Sequence, residues 1–202
     1  MGRELTQDEV ALYRRDGYVL RQGMFDPAEV AVIQRMIETD PVIAAHVFAQ
    51  KDKAGGSTEL ALWNHPGDDV FGAVARSARI VDSMTTLIGE EVYHWHSKLT
   101  LKRPAKGGAW EWHQDYGYWY DHGCLAPKLA SVFIAIDAST RENGCLQVIR
   151  GSHELGRIDH GKVGTQSGAD PARGVGRRSP AASRPVTSRP SGSKTSISIS
   201  SK

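Results

Sequence analysis

His113 and Asp115 are separated by one residue in the run Trp110-Glu-Trp-His-Gln-Asp-Tyr-Gly-Tyr-Trp-Tyr120. On an extended chain, side chains two residues apart project to the same face. An imidazole and a carboxylate presented together suit a hard or borderline divalent cation. Two histidines and one carboxylate on one face leave three coordination positions open, the arrangement that non-heme Fe(II) uses for dioxygen chemistry. His113 and Asp115 make two thirds of such a set. The same spacing also arises by chance, as a hydrogen-bonded surface pair, and the two residues alone do not decide between these readings.

Periodicity outlines the elements that must position the pair. Thr6-Gln-Asp-Glu9 has the form of a capping box and predicts a short helix to about Asp16, stopped at Gly17. Tyr18-Val-Leu20 reads as a strand. Asp26-Pro-Ala-Glu29 opens a second helix, with Val30, Ile33 and Ile37 on one face. Residues 41–66, with Lys51-Asp-Lys-Ala-Gly-Gly-Ser57, read as a loop. Val70, Val74, Val81 and Ile88 recur near a helical period, so Asp69 to Leu87 reads as one helix ended by Gly89.

From Val92 the period becomes two. His94, His96, Lys98, Thr100 and Lys102 fall on one side, and Tyr93, Trp95, Ser97, Leu99 and Leu101 on the other. Pro104 to Gly108 reads as a turn and Ala109 to Tyr116 as a second strand. Leu129 to Asp137 reads as a third strand, apolar on both faces. Glu142-Asn-Gly144 signals a hairpin, with a return strand from Cys145 to Ile149. Helices followed by antiparallel strands predict a mainly β domain with N-terminal helices, in the manner of a β-sandwich or jelly roll.

The 202 residues suffice for one domain with a real core. The C-terminal stretch differs from the rest. Residues 171–202 hold nine serines, five arginines and two lysines, with no acid, histidine or aromatic residue. That segment carries +7 against an overall +2, which leaves −5 for residues 1–170. The basic balance therefore belongs to the tail and is no argument for a nucleic-acid-binding domain. The division expected is a domain over 1–170 and a disordered Ser/Arg/Pro-rich tail over 171–202. Two cysteines, Cys124 and Cys145, suggest a reducing compartment without a disulfide framework. No apolar run approaches a membrane span, and the N-terminus has no hydrophobic signal region. A soluble, cytoplasmic protein is expected, and its oligomeric state is open.

The order and spacing of several blocks resemble the phytanoyl-CoA dioxygenase family of Fe(II)/2-oxoglutarate oxygenases. These blocks are Leu5-Thr-Gln-Asp-Glu9, Tyr13-Arg-Arg-Asp-Gly-Tyr-Val-Leu20 and His96-Ser-Lys-Leu99 with Lys102 and Pro104. They continue with Trp112-His-Gln-Asp115, Ser131-Val-Phe-Ile-Ala-Ile-Asp137 and Glu142-Asn-Gly-Cys-Leu-Gln-Val-Ile-Arg-Gly-Ser-His153. The resemblance implies a double-stranded β-helix (a cupin-like jelly roll). It implies that His113 and Asp115 are iron ligands and catalytic residues. It also implies that His96 and Phe133 lie near the 2-oxoglutarate cosubstrate. The activity implied is hydroxylation of a small organic substrate with Fe(II), 2-oxoglutarate and O2.

Other residues invite the same question. His94, Lys98 and Lys102 share a strand face with His96, and either line a polar cavity that neutralises an acidic ligand or form an exposed face. Tyr116, Tyr118, Trp119 and Tyr120 are equally a substrate wall or core packing. Trp110 and Trp112 read as packing residues. The resemblance makes Gly151-Ser-His153 a structural turn, and His122 and His160 read as non-ligands. The cysteines lack zinc or redox spacing.

In similar proteins a second iron histidine follows the Gly-Ser-His loop on a later strand, and an arginine beyond it binds the distal carboxylate of 2-oxoglutarate. Here the last histidine is His160. The resemblance therefore implies a barrel incomplete at its C-terminus. The switch to Ser/Arg/Pro after Gly174 reads as a truncated or out-of-frame end, and the chain is expected to be poorly folded or inactive. Two alternatives stand beside the oxygenase. One is a non-catalytic pseudoenzyme or binding domain. The other is a zinc hydrolase, for which no His-Glu-x-x-His motif is present.

Overall fold

A computed structural model of the chain describes residues 4–103 and 107–170, together with the backbone strands at 183–185 and 194–201. Helix α1 (Gln7–Asp16) starts at the predicted capping box. The Thr6 side chain accepts from the Glu9 N–H while the Glu9 carboxylate accepts from the Thr6 N–H. Gly17 closes it in the left-handed conformation, φ 81°. Helix α2 (Pro27–Thr39) has a second capping box between Asp26 and Glu29. Helix α3 (Pro41–His46) follows, then strands β1 (Phe48–Lys51) and β2 (Ser57–Trp63). Helices α4 (Val70–Ala75) and α5 (Ala78–Ile88) lead into strand β3 (His94–Lys102). Helix α6 (Asp115–Tyr120) precedes strands β4 (Ala130–Ala135), β5 (Gln147–Ile149), β6 (His160–Val163) and β7 (Gln166–Ala169). Strands β8 (Ser183–Pro185) and β9 (Lys194–Ser201) complete the described elements.

The main sheet is antiparallel in the order β1-β2-β3-β9-β4. Two small antiparallel pairs, β5-β8 and β6-β7, lie apart from it. One face of the sheet is the core. Ala61, Leu99, Leu101 and Ile134 pack there against Ile33, Phe71, Val74, Ile80 and Met84 of the helices. Leu99 is wholly buried. Each such aliphatic side chain contributes about 1.5–3 kcal/mol on burial, so this layer anchors β3. The opposite face of β3 carries His96, Lys98 and Lys102, as the alternation predicts.

Several sequence expectations are corrected. Residues 18–20 form no strand, because they leave α1 as a connector without a partner strand. The stretch read as a loop over 41–66 contains α3 and the β1-β2 hairpin, with the Gly-rich residues at its turn. The helix expected over 69–87 breaks at Ser77, whose backbone is extended. The strand expected over 109–116 is absent; Ala109–Gln114 runs outside any ladder and Asp115 starts a helix. Strand β4 is shorter than expected, with Ile134 buried, Val132 and Phe133 half-buried and Ser131 exposed. Part of the turn expected at 104–108 lies outside the described residues. The tail also differs where it is described. Residues 194–201 pair with β3 on one side and β4 on the other. The alternation Ser196-Ile-Ser-Ile-Ser200 has the period of a strand, and the gap between β3 and β4 offers it two edges. The rest of 171–202 lies outside the described residues.

Two distant blocks of the sequence meet at the end of α1. The Asp16 carboxylate pairs with Arg150 at 2.7 Å, and its carbonyl accepts from Gly151 N–H at 2.8 Å. Arg15 holds the same carboxylate, and together the two guanidiniums keep it well below the usual carboxylate range. His153 Nε2 donates to the Arg14 carbonyl at 3.0 Å and its ring lies over Gly17. A Cβ at Gly17 would overlap that ring and sit in a left-handed conformation besides. Gly17→Ala is therefore expected to lower unfolding stability by about 1–3 kcal/mol, read from the urea midpoint at unchanged slope.

Candidate metal site

The backbone of 109–114 passes over the polar face of the sheet without a ladder, and side chains meet its polar groups instead. Asp52 accepts from the Ala109 N–H at 2.8 Å, while its other oxygen accepts from Ala54 and Gly56. Ala169 N–H donates to the Trp112 carbonyl at 2.7 Å. His160 Nε2 accepts from the Gln114 N–H at 3.0 Å. Gln114 is extended (φ −115°, ψ 123°), so the residues on either side of it still project together. The chain then turns into α6, whose Gly117 lies against the Ile158 carbonyl and the His160 ring with no room for a Cβ.

This geometry brings His113 and Asp115 together. The His113 Nδ1 lies 2.9 Å from the Glu111 carbonyl. A carbonyl only accepts, so Nδ1 carries the hydrogen and Nε2 presents its lone pair. Nε2 is 3.3 Å from Asp115 Oδ1. The other oxygen, Oδ2, accepts from the Ser131 hydroxyl at 2.6 Å. Two acceptors that face each other require positive charge between them, either a second ring proton or a cation. Two donors each about 2.1 Å from one ion and at right angles to it lie about 3.0 Å apart. The pair therefore fits adjacent positions on a divalent metal. Among the described residues no group of three His, Cys, Asp or Glu side chains is placed to hold a metal ion. Burial would raise the Asp115 pKa, but His113, the Ser131 hydroxyl and Lys98 outweigh it and hold the carboxyl below its usual range.

Sheet register gathers the other candidates beneath this pair. His96 stands opposite Ser200 of β9, which stands opposite Ser131 of β4. Lys98 stands opposite Ser198, which stands opposite Phe133. Opposed residues share a face, so His96, Lys98, Ser131 and Phe133 occupy one surface about two strand spacings wide, roughly 10 Å. The 110–120 segment covers its His96 and Lys98 part. Trp110 lies under the Lys98 ammonium at 4.8 Å, and Trp119 packs on His96 with centroids 5.0 Å apart. Burial lowers the Lys98 pKa, against the pull of Asp115. Burial, then Lys98 and His94, push His96 down to about 4. His96 therefore stands neutral near pH 7, with Nδ1 3.3 Å from the Asn64 amide oxygen.

Other histidines are accounted for structurally. His160 has Nδ1 against the Ile158 carbonyl and Nε2 against Gln114 N–H, which leaves no lone pair for a metal. His153 is held by Arg14. The aromatic run divides. Trp119 faces the site, whereas Tyr120 stacks under Arg157 at 4.0 Å. Lys98 sits on the covered face rather than an exposed one. Ser131 escaped notice as a site residue, although its position two before Phe133 on one strand is a usable signal. Gln166 gave no signal in sequence.

The phytanoyl-CoA dioxygenase (PhyH) family profile matches residues 13–181, and the chain belongs to that family. It is 27% identical over 153 residues to ectoine dioxygenase of Bordetella bronchiseptica, covering 74% of this chain and 50% of that one. It is 32% identical over 155 residues to L-proline trans-4-hydroxylase of Streptomyces griseoviridis, covering 75% and 57%. The chain thus spans about half the length of the curated relatives it matches. Among solved structures, EctD from S. alaskensis with bound Fe superimposes with a TM-score of 0.75 at 20% identity, over 98% of this chain and 76% of that one. The non-heme alpha ketoglutarate dependent carbocyclase SnoK from nogalamycin biosynthesis gives 0.76 at 17% identity, over 98% and 83%. These likenesses establish the jelly-roll fold. Among the described residues no helix is long and apolar enough to cross a membrane.

The depressed His96 pKa has a consequence for stability. The unfolded chain takes up a proton near 6.5, while the folded chain refuses it until about 4. The stabilisation is complete above 6.5 and is lost as pH falls toward 4. Replacing His96 with Asn is expected to flatten the pH dependence of the urea midpoint across that window, relative to the parent protein.

Proposed function

We propose that this chain carries the metal-binding part of an Fe(II)- and 2-oxoglutarate-dependent oxygenase that hydroxylates a small organic substrate. The observation that carries the reading is the His113 and Asp115 pair, 3.3 Å apart with the imidazole hydrogen turned away to Glu111. His113 Nε2 and Asp115 Oδ1 hold the metal, and Ser131 fixes the carboxylate rotation. When bound, Fe(II) with 2-oxoglutarate supplies the oxidative decarboxylation that drives hydroxylation by O2. Phe133 and neutral His96 lie on the cosubstrate side of the sheet. Trp110 and Trp119 exclude water from that surface.

Lys98 points to the charge of what binds. It is a covered ammonium whose position above Trp110 leaves it oriented toward the site. The negative charge of an anionic group arriving there offsets the burial that lowers its pKa. The relatives named ectoine dioxygenase and L-proline trans-4-hydroxylase are consistent with a small substrate. We read the substrate or cosubstrate group next to Lys98 as a carboxylate. The alternative is a non-catalytic binding domain that keeps the fold and binds metal without turnover.

Two measurements test this. Fe(II) binding under anaerobic conditions is expected to fall at least about tenfold in His113→Ala and in Asp115→Ala, as loss of a ligand requires. Undiminished binding in either variant removes the metal reading. Succinate release from 2-oxoglutarate separates oxygenase from binding domain, since only the former turns over. Lys98→Met is expected to weaken 2-oxoglutarate or carboxylate-substrate binding by about tenfold, equivalent to about 1.4 kcal/mol, while metal affinity is retained.

A further inference from the structure

Gln166 is buried, with 3% of its surface exposed. Its Nε2 donates to the Ala109 carbonyl at 2.9 Å, and its Oε1 accepts from the Glu111 N–H at 2.9 Å. Those two backbone groups flank Trp110 on one edge of the chain. In a parallel sheet, one residue of the neighbouring strand donates to one backbone group and accepts from another two residues on. The Gln166 side-chain amide thus stands where a strand residue would stand. Gln114 repeats the device. Its Nε2 donates to the Gly156 carbonyl at 2.8 Å, and its Oε1 accepts from the Ile158 N–H at 2.9 Å.

The two clamps bracket His113. Gln166 fixes Glu111, whose carbonyl receives the His113 Nδ1 hydrogen. Gln114 fixes the 156–158 strand approach, and its own N–H is received by His160, the first residue of β6. Hydrogen bonds to the distal nitrogen of a ligating imidazole set its tautomer and ring orientation. We propose that Gln166 and Gln114 are positioning residues that act through the backbone to preset His113 as a metal donor. Of the two, Gln166 does so through the Glu111 carbonyl. This rests on the metal reading of the His113 and Asp115 pair.

The test uses the full chain and Mn(II), a redox-stable ion that takes the same nitrogen and oxygen donors. Calorimetric titration compares the parent with Gln166→Met, which keeps length but loses both polar groups. Gln166→Glu is the conservative partner. An acid buried between an N–H and a carbonyl keeps its proton and reproduces both bonds. Ile33→Ala, in the core away from the site, controls for lost stability. Mn(II) affinity is expected to fall at least about tenfold in Gln166→Met, to stay within about threefold in Gln166→Glu, and to be unchanged in Ile33→Ala. The metal-free protein adds a spectroscopic reading: the His113 Nδ1–H signal, protected from exchange by its bond to the Glu111 carbonyl, is expected in the parent and is expected to be lost to exchange in Gln166→Met. If Gln166→Met does not fold, Gln166→Asn, which reaches only one backbone partner, takes its place with the same expected loss. Parent-like Mn(II) affinity in the folded Met or Asn variant overturns the proposal, as does an equal loss in Ile33→Ala. Failure of the parent itself to bind Mn(II) instead removes the metal reading on which the clamp rests.

Discussion

A chain segment that crosses a packed surface must find a partner for every N–H and C=O it carries. Ala109–Gln114 meets much of that demand without belonging to a sheet. The Ala109 N–H goes to Asp52 and its carbonyl to Gln166. The Glu111 N–H goes to Gln166 and its carbonyl to His113. The Trp112 carbonyl goes to Ala169, and Gln114 N–H to His160. Because no neighbouring strand sets its course, the segment takes its conformation from these side chains. The placement of His113 and Asp115 depends on them in turn. The β6-β7 hairpin earns its place here: it supplies Gln166, Ala169 and His160 from a ten-residue span.

Strand β3 divides the molecule. Its Leu99 and Leu101 face the helices, and its His96 and Lys98 face the covered site. The apolar side fixes the strand, so the polar side needs no flexibility to bring its groups to bear. The electrostatics follow from that division. Lys98 and Asp115 pull on each other across the covered face while burial works against the charge of Lys98. His96 lies beside both and is left neutral.

The site pair was legible in sequence for a reason that outlived the wrong element. A spacing of two needs only one extended residue between the partners, and Gln114 supplies it even though Asp115 begins a helix. The alternation in β3 was legible because its two faces meet different surroundings. Trp110-Glu-Trp-His113 alternates just as well, yet alternation reports exposure and not pairing, so it suggested a strand where side chains do the pairing. The β1-β2 hairpin was obscured because Gly55 and Gly56 dominate a region whose strands are short. The break at Ser77 left no glycine or proline to announce it. The Ser/Ile alternation of 194–201 was submerged in a serine-rich composition. Gln166 was invisible because a buried amide is recognised only by the backbone it meets.

The junction at Asp16 has a consequence for how the chain is made. Helix α1 has its own caps at both ends and is synthesised well before the groups that seat it. The groups that seat it are Arg150 and His153, at sequence separations of 134 and 139. Closing so long a loop carries an entropic cost that local contacts do not share. The helix therefore waits, formed but undocked, until most of the domain has been translated. Helix α1 is then among the last parts to be fastened, although it emerges long before its partners, and contacts of this range slow folding relative to a locally wired domain.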